Sequence, residues 1–190
     1  MADEAKCAMA HKGAAGCEDA AVAKRAATLA AMSCRGNAEY LRRAIALATE
    51  NVLQGAGGPF AAVIVRAGAV VAEAVNTVTL TNDATAHGEV NAIRAACRAL
   101  GAFSLEGCEL YSSCEPCPMC LCAAYWARID HIYYGASAAD AARAGFDDAT
   151  FYAELRKEPG TRRLPATQLL GEEAWASFAA WLASARRVDY

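Results

Sequence analysis

Cys108-Glu109-Leu110-Tyr111-Ser112-Ser113-Cys114-Glu115-Pro116-Cys117-Pro118-Met119-Cys120 is the stretch on which the reading of this chain turns. Cys108–Ser113 reads as a short strand. Pro116 marks the start of a helix running to about Arg128, because a proline loses no hydrogen bond in a helix's first turn. Cys117 and Cys120, three apart in that first turn, can point both thiolates at one ion. A lone Cys-x-x-Cys is weak evidence, since structural zinc and redox sites share it. Upstream, His87-Gly88-Glu89 opens a second helix, His87–Leu100. Two helix starts would then converge and bring a histidine to the two cysteines.

His87, Cys117 and Cys120 form a three-ligand set for Zn2+, and three protein ligands leave the fourth tetrahedral position for water, as in a catalytic zinc site. Zinc lowers the pKa of that water toward about 7. Glu89, two residues from a ligand, would stand beside the open position and carry protons from the zinc-bound hydroxide to the substrate. The positive ends of the helices favour the negative charge that develops on attack. The competing arrangement is a closed structural site of Cys114, Cys117, Cys120 and Cys122, which would leave His87 and Glu89 without a task. Cys114 reads instead as a core residue at a strand end, and Cys122 as buried on another helix face. His11 and His131 read as non-ligands.

Working outward, 190 residues make one domain long enough to bury a core without disulfides. Residues 1–36 are alanine-rich with scattered charges and read as a flexible N-terminal extension; residues 37–190 read as the folded domain. The formal net charge of −3 comes with no long basic run, which speaks against nucleic acid as a partner and for a small molecule. No apolar run approaches the roughly 20 residues of a membrane span. Nine cysteines, an odd number without a secretory signal, indicate a reducing, cytoplasmic setting.

Leu41, Ile45, Ala48 and Val52 recur at helical spacing after Asn37, a good cap. The glycine stretch Gly55–Pro59 ends that helix. Phe60–Val65 and Ala69–Val75 read as a hairpin about Arg66-Ala67-Gly68, and Thr79–Thr85 as a polar loop. His131–Gly135 reads as a strand, Ala138–Ala144 as a short helix and Gly145–Asp148 as a loop. A helix near Thr150–Arg156, a strand over Arg163–Leu170 and a last helix over Glu172–Ala185 follow, the last carrying Trp175, Phe178, Trp181 and Leu182. This order predicts an α/β fold: a three-layer α/β/α architecture on a mixed five-stranded sheet with helices on both faces.

His87-x-Glu89 with Pro116-Cys117-x-x-Cys120 is the signature of the zinc-dependent nucleobase deaminases. Over about Tyr40–Tyr190 the chain resembles the cytidine-deaminase superfamily, and within it the bacterial-type guanine deaminases, with plant guanosine deaminases nearby. The resemblance rests on Gly57–Phe60, Asn76, Thr81–Val90, Ser113–Cys120, Tyr125–Arg128, Gly145–Asp148 and Tyr190. It implies a cytidine-deaminase-like fold and hydrolysis of guanine to xanthine and ammonia. Guanosine is the close alternative, and a tRNA adenosine deaminase the second. It further implies that Asn76 hydrogen-bonds the purine, although Asn76 also suits a strand end. Asp148 would accept from the amino and ring N–H groups of guanine, or merely cap a helix. Phe60 and Trp126 would stack on the base, or sit in the core. In this family the C-terminal segment is exchanged between two subunits, so Tyr190 would cap the partner's site in a homodimer. The chain departs from the usual pattern at Ala84, Gly88 and Cys122, where proline, alanine and glycine are usual, and Gly88 should weaken its helix start.

Overall fold

The computed structural model describes residues 36–146 and 148–190. The chain divides into two units, Met1–Asn37 and Ala38–Tyr190. The second is described below; the expected extension, with His11, lies outside the described residues, Gly36 apart.

Strand β1, Ala61–Arg66, is buried along its first five residues, which follows from its small and β-branched side chains. It pairs antiparallel with β2, Ala69–Val75, through Ala61↔Val75 to Arg66↔Ala69, with one irregularity at Ile64/Val65. The hairpin turns on Ala67 and Gly68, both at positive φ (50° and 78°), the hand that matches strand twist. On its other side β1 pairs antiparallel with β3, Cys108–Cys114, and β3 pairs parallel with β4, His131–Ala136. The sheet is therefore mixed, in the order β2-β1-β3-β4.

Alternation along β1 assigns the two faces. Val63 and Val65, with Tyr111 of β3, pack against Ala44 of helix α1, Ala38–Leu53. Ala62, Ile64 and Leu110 pack on the opposite face with Ala92, Ile93 and Ala96 of a second long helix, Gly88–Leu100. Between β2 and that helix lies α2, the single turn Val78–Thr81, so the long helix is α3. Helix α4, Pro118–Trp126, brings Ala124 to the same face as α3. Then come α5 (Ala138–Arg143), α6 (Asp148–Leu155), a 3-10 turn at Pro159–Thr161 and α7 (Gly171–Ala183). These are the three layers expected, with helices on both faces.

Three expectations are corrected. The sheet has four strands, not five: Arg163–Leu170 forms none, and Pro165 within it lacks the N–H a ladder needs. Helix α1 does not bury the stripe Leu41-Ile45-Ala48-Val52. Ile45 and Val52 are about half exposed, and the buried positions are Ala44, Ala48 and Asn51. Alanines let the helix lie close on the sheet, and Asn51 finds buried acceptors there, so fit chose the face over side-chain hydrophobicity. Helix α4 starts at Pro118, two residues past the expected Pro116, with Cys117 as its N-cap residue. Among the described residues no helix is long and apolar enough to cross a membrane.

Candidate active site

Both motifs sit at helix starts. His87 is the N-cap residue of α3 and Cys117 that of α4, each with extended backbone, so neither side chain belongs to a helix face. Cys120 lies one turn into α4 and Glu89 in the first turn of α3. His87 Nδ1 stands 3.6 Å from Cys117 Sγ and 3.5 Å from Cys120 Sγ. The three donor atoms lie within 4.8 Å of one another, the spacing of ligands around one ion. One imidazole nitrogen and two thiolates are a fitting donor set for zinc, with one tetrahedral position left over.

Hydrogen bonding from Cys120, with His87 alongside, pushes the Cys117 thiol down to about 4. Its bond to Cys117, together with burial, raises Cys120. Glu89, 4% exposed, is raised above the ordinary carboxylate range by burial, against hydrogen bonds that favour its charge. Its Oε1 accepts from the Ser112 hydroxyl at 2.8 Å, and its Oε2 lies 3.3 Å from Cys120 Sγ.

A cavity of about 200 Å³ opens over these groups, lined among others by Gly58, Phe60, Asn76, His87, Glu89 and Cys117. Asn76 follows β2 and is buried; its Oδ1 accepts from the Val78 N–H at 3.2 Å, which sets the orientation of the amide. Asn51 holds this wall together. Its Nδ2 donates to the carbonyls of Gly58 and Asn76, both at 2.9 Å. A Cβ at Gly57 would stand 2.2 Å from the Asn76 carbonyl oxygen, so only glycine permits this approach. Asn91 fastens α3 to the same loop by donating to the carbonyls of Val75 and Ala86.

Of the residues singled out in the sequence, His87, Glu89, Cys117, Cys120, Asn76 and Phe60 come together here. Trp126 does not line the cavity. It is 62% exposed at the end of α4, under the Arg128 guanidinium and with the Tyr190 ring 5.8 Å away. Tyr190 is likewise exposed and does not line its own chain's cavity. The Asp148 side chain lies outside the described residues; its backbone heads α6. Cys114 is buried, as expected, but Cys122 is exposed, not buried. His131 lies in β4 with its ring tilted at 36° to that of Tyr133, and it is not among the residues that close on the metal position.

The sequence reading gave no site role to Val78, Thr79, Glu115 or Phe146, which also line the wall. Phe146 meets Phe60 edge to face at 4.7 Å. Glu115 accepts from the Ala138 N–H, fixing the start of α5. The only local sign of Phe146 was an aromatic residue within a glycine-aspartate loop.

Comparison with known proteins agrees with this geometry. The sequence profile of the cytidine and deoxycytidylate deaminase zinc-binding region matches residues 35–136. Guanine deaminase of Bacillus subtilis (strain 168) is 52% identical over 151 residues, covering 80% of this chain and 97% of that one. The X-ray structure of guanine deaminase from Bacillus subtilis superposes with a TM-score of 0.79 at 50% identity, over 82% of this chain and 99% of that one. Guanine deaminase from Nitrosomonas europaea gives a TM-score of 0.55 at 29% identity, over 57% of this chain and 63% of that one. The likeness to tRNA-specific adenosine deaminase of Agrobacterium fabrum, 49% identical, stops at 78 residues, 41% of this chain and 51% of that one. The chain belongs to the cytidine and deoxycytidylate deaminase family, on the branch that holds bacterial guanine deaminase.

Proposed function

We propose that this protein hydrolyses guanine to xanthine and ammonia, with His87, Cys117 and Cys120 holding zinc and Glu89 moving the protons. The observation that carries the reading is a buried carboxylate beside an imidazole and two thiols that close on one point, in a chain half identical to a guanine deaminase over 97% of that relative's length. Zinc, when bound, supplies the Lewis acid that turns water into a nucleophile near neutral pH.

The chain's own residues do the rest. Phe60 and Phe146 form the aromatic corner against which a flat purine lies. Asn76, its Oδ1 engaged by Val78, offers its Nδ2 to an acceptor on the base. Asp148, by resemblance, accepts from the amino and ring N–H groups that distinguish guanine. Glu89 takes a proton from the attacking water and returns it to the ring nitrogen and then to the leaving amine. Its raised pKa suits a group that must be base and acid in one turnover.

A second copy completes the site. The last helix, α7, buries none of its residues, and Trp175, Phe178, Trp181 and Leu182 stand 40–59% exposed. An apolar surface of this kind calls for a partner. In a homodimer that exchanges its C-terminal segments, Tyr190 caps the partner's cavity. Free thiols at the site fit a reducing, cytoplasmic setting.

The test is ammonia release by the zinc-loaded protein from guanine, guanosine, adenine, cytosine, cytidine and an adenosine-bearing RNA hairpin. Turnover of guanine is expected. Guanosine as the better substrate would move the protein to the nucleoside branch, and activity only on the hairpin would overturn the substrate reading. Glu89→Gln is expected to lower kcat by about 10²–10⁴-fold with zinc still bound; retained turnover would sink the proton-transfer role.

A further inference from the structure

Ser112 lies in the middle of β3, opposite Ala62 of β1 and Tyr134 of β4, and is 1% exposed. A hydroxyl buried between strands costs free energy unless it is hydrogen-bonded. The next residue, Ser113, meets this demand structurally by accepting from the Ala61 N–H at 3.0 Å, tying β3 to β1. Ser112 is different: it faces the α3 side of the sheet and donates to Glu89 Oε1 at 2.8 Å. It does not line the cavity, so it reaches a substrate only through Glu89.

The two carboxylate oxygens of Glu89 thus have separate surroundings. One is bound to β3; the other lies beside Cys120 Sγ, on the metal-binding side. Among the described residues the Ser112 hydroxyl is a donor to Glu89 that stands outside the proposed metal-ligand set. A glutamate in a working site keeps three rotatable bonds unless something fixes its head.

We infer that Ser112 is a positioning residue of the reaction: its hydroxyl holds one oxygen of Glu89 so that the other faces the reacting atoms. The inference rests on Glu89 being the proton carrier. The hydroxyl itself exchanges no proton with the substrate; it sets where the exchanging oxygen stands.

The test compares Ser112→Thr with Ser112→Val, which have nearly the same shape and differ by a hydroxyl against a methyl. Ser112→Ala is included because it adds no bulk to the strand. The alanine and valine variants are expected to lose about 10–100-fold in kcat, the usual effect of removing such a supporting partner. KM for guanine, zinc content and unfolding temperature should stay near those of the parent. The threonine variant should restore kcat. Valine and threonine variants equally impaired would mean that bulk, not the hydroxyl, matters, and would overturn the inference. So would a full-rate alanine variant, or a rise in KM at constant kcat. Glu89→Gln in the same assay separates the two readings. An active Glu89→Gln enzyme removes the premise, whereas an inactive one beside full-rate alanine and valine variants removes only the role of Ser112.

Discussion

Cys117 and Cys120 are chemically unlike although one helical turn separates them. Cys117, at the N-cap, receives a hydrogen bond from Cys120 and faces His87, and its thiol falls to about 4; Cys120, inside α4 and against Glu89, is raised. The metal-free protein therefore carries a thiolate at Cys117 throughout the range above about pH 4, and loses it only as the pH falls through that value. An ordinary thiol at pH 6 is almost wholly protonated and slow to alkylate. Iodoacetamide is expected to label Cys117 of the apoprotein at pH 6, read by peptide mass spectrometry, and zinc loading to abolish the labelling. Equal protection of Cys117 in the apoprotein would mean that it is an ordinary thiol. The ligands were legible in the sequence because metal chemistry admits few residue types at few spacings. Ser112 was not, because a serine in a strand carries no mark of what it faces, and only the pairing of β3 beneath α3 brings it to Glu89.

The glycine at the head of α3 shows how elements set the site. Helix propensity alone marks Gly88 as a weakness, costing up to about 1 kcal/mol relative to alanine. The packing gives the opposite reading. A Cβ there would stand 2.9 Å from the Ala61 Cα and 3.2 Å from the Phe60 carbonyl oxygen, both backbone atoms of the neighbouring strand and its lead-in. Helix α3 approaches β1 so closely that position 88 has no room for a side chain, and its neighbours His87 and Glu89 are placed by that approach. Gly88→Ala is expected to destabilise by about 1–3 kcal/mol through overpacking, offset only partly by propensity. Because the clash displaces both a ligand and the proton carrier, kcat should fall as well. Thermal unfolding and guanine turnover of Gly88→Ala check this: a variant as stable and as active as the parent would show that the strand yields to the added methyl without cost. The same closeness explains why α1 turned its alanines, and not Ile45 and Val52, toward the sheet: periodicity reports which residues are apolar, and the gap between layers decides which of them fit.

At the scale of the molecule, the sequence made the layers and the mixed sheet legible, because strand-length runs and helical periods are local signals. It misjudged the segment after α6. Arg163–Leu170 has a strand's composition apart from Pro165, yet lies exposed and unpaired with the sheet. A single chain offers this segment and α7 little to cover them: Trp175, Phe178 and Leu182 are each more than half exposed. Tyr190, for its part, rests near Trp126 and does not line its own cavity. In the proposed dimer each active site takes its metal ligands and Glu89 from one subunit and Tyr190 from the other. That division has a consequence no self-contained subunit shares. A chain with Glu89→Gln is inactive in its own cavity but still lends its tail, and a chain cut before Tyr190 keeps its cavity but lends no tail. Each should be inactive alone. Coexpressed, the two should assemble mixed dimers in which the truncated chain's cavity meets an intact partner tail, one complete site per mixed dimer. Random pairing makes half the dimers mixed, so guanine turnover should return to about a quarter of the parent's per chain, given that the closed two-fold interface is formed by both chains alike. Tyr190 acting within its own chain predicts the reverse: the Glu89→Gln chain then holds the tail without the carboxylate, the truncated chain the carboxylate without the tail, and mixing restores nothing.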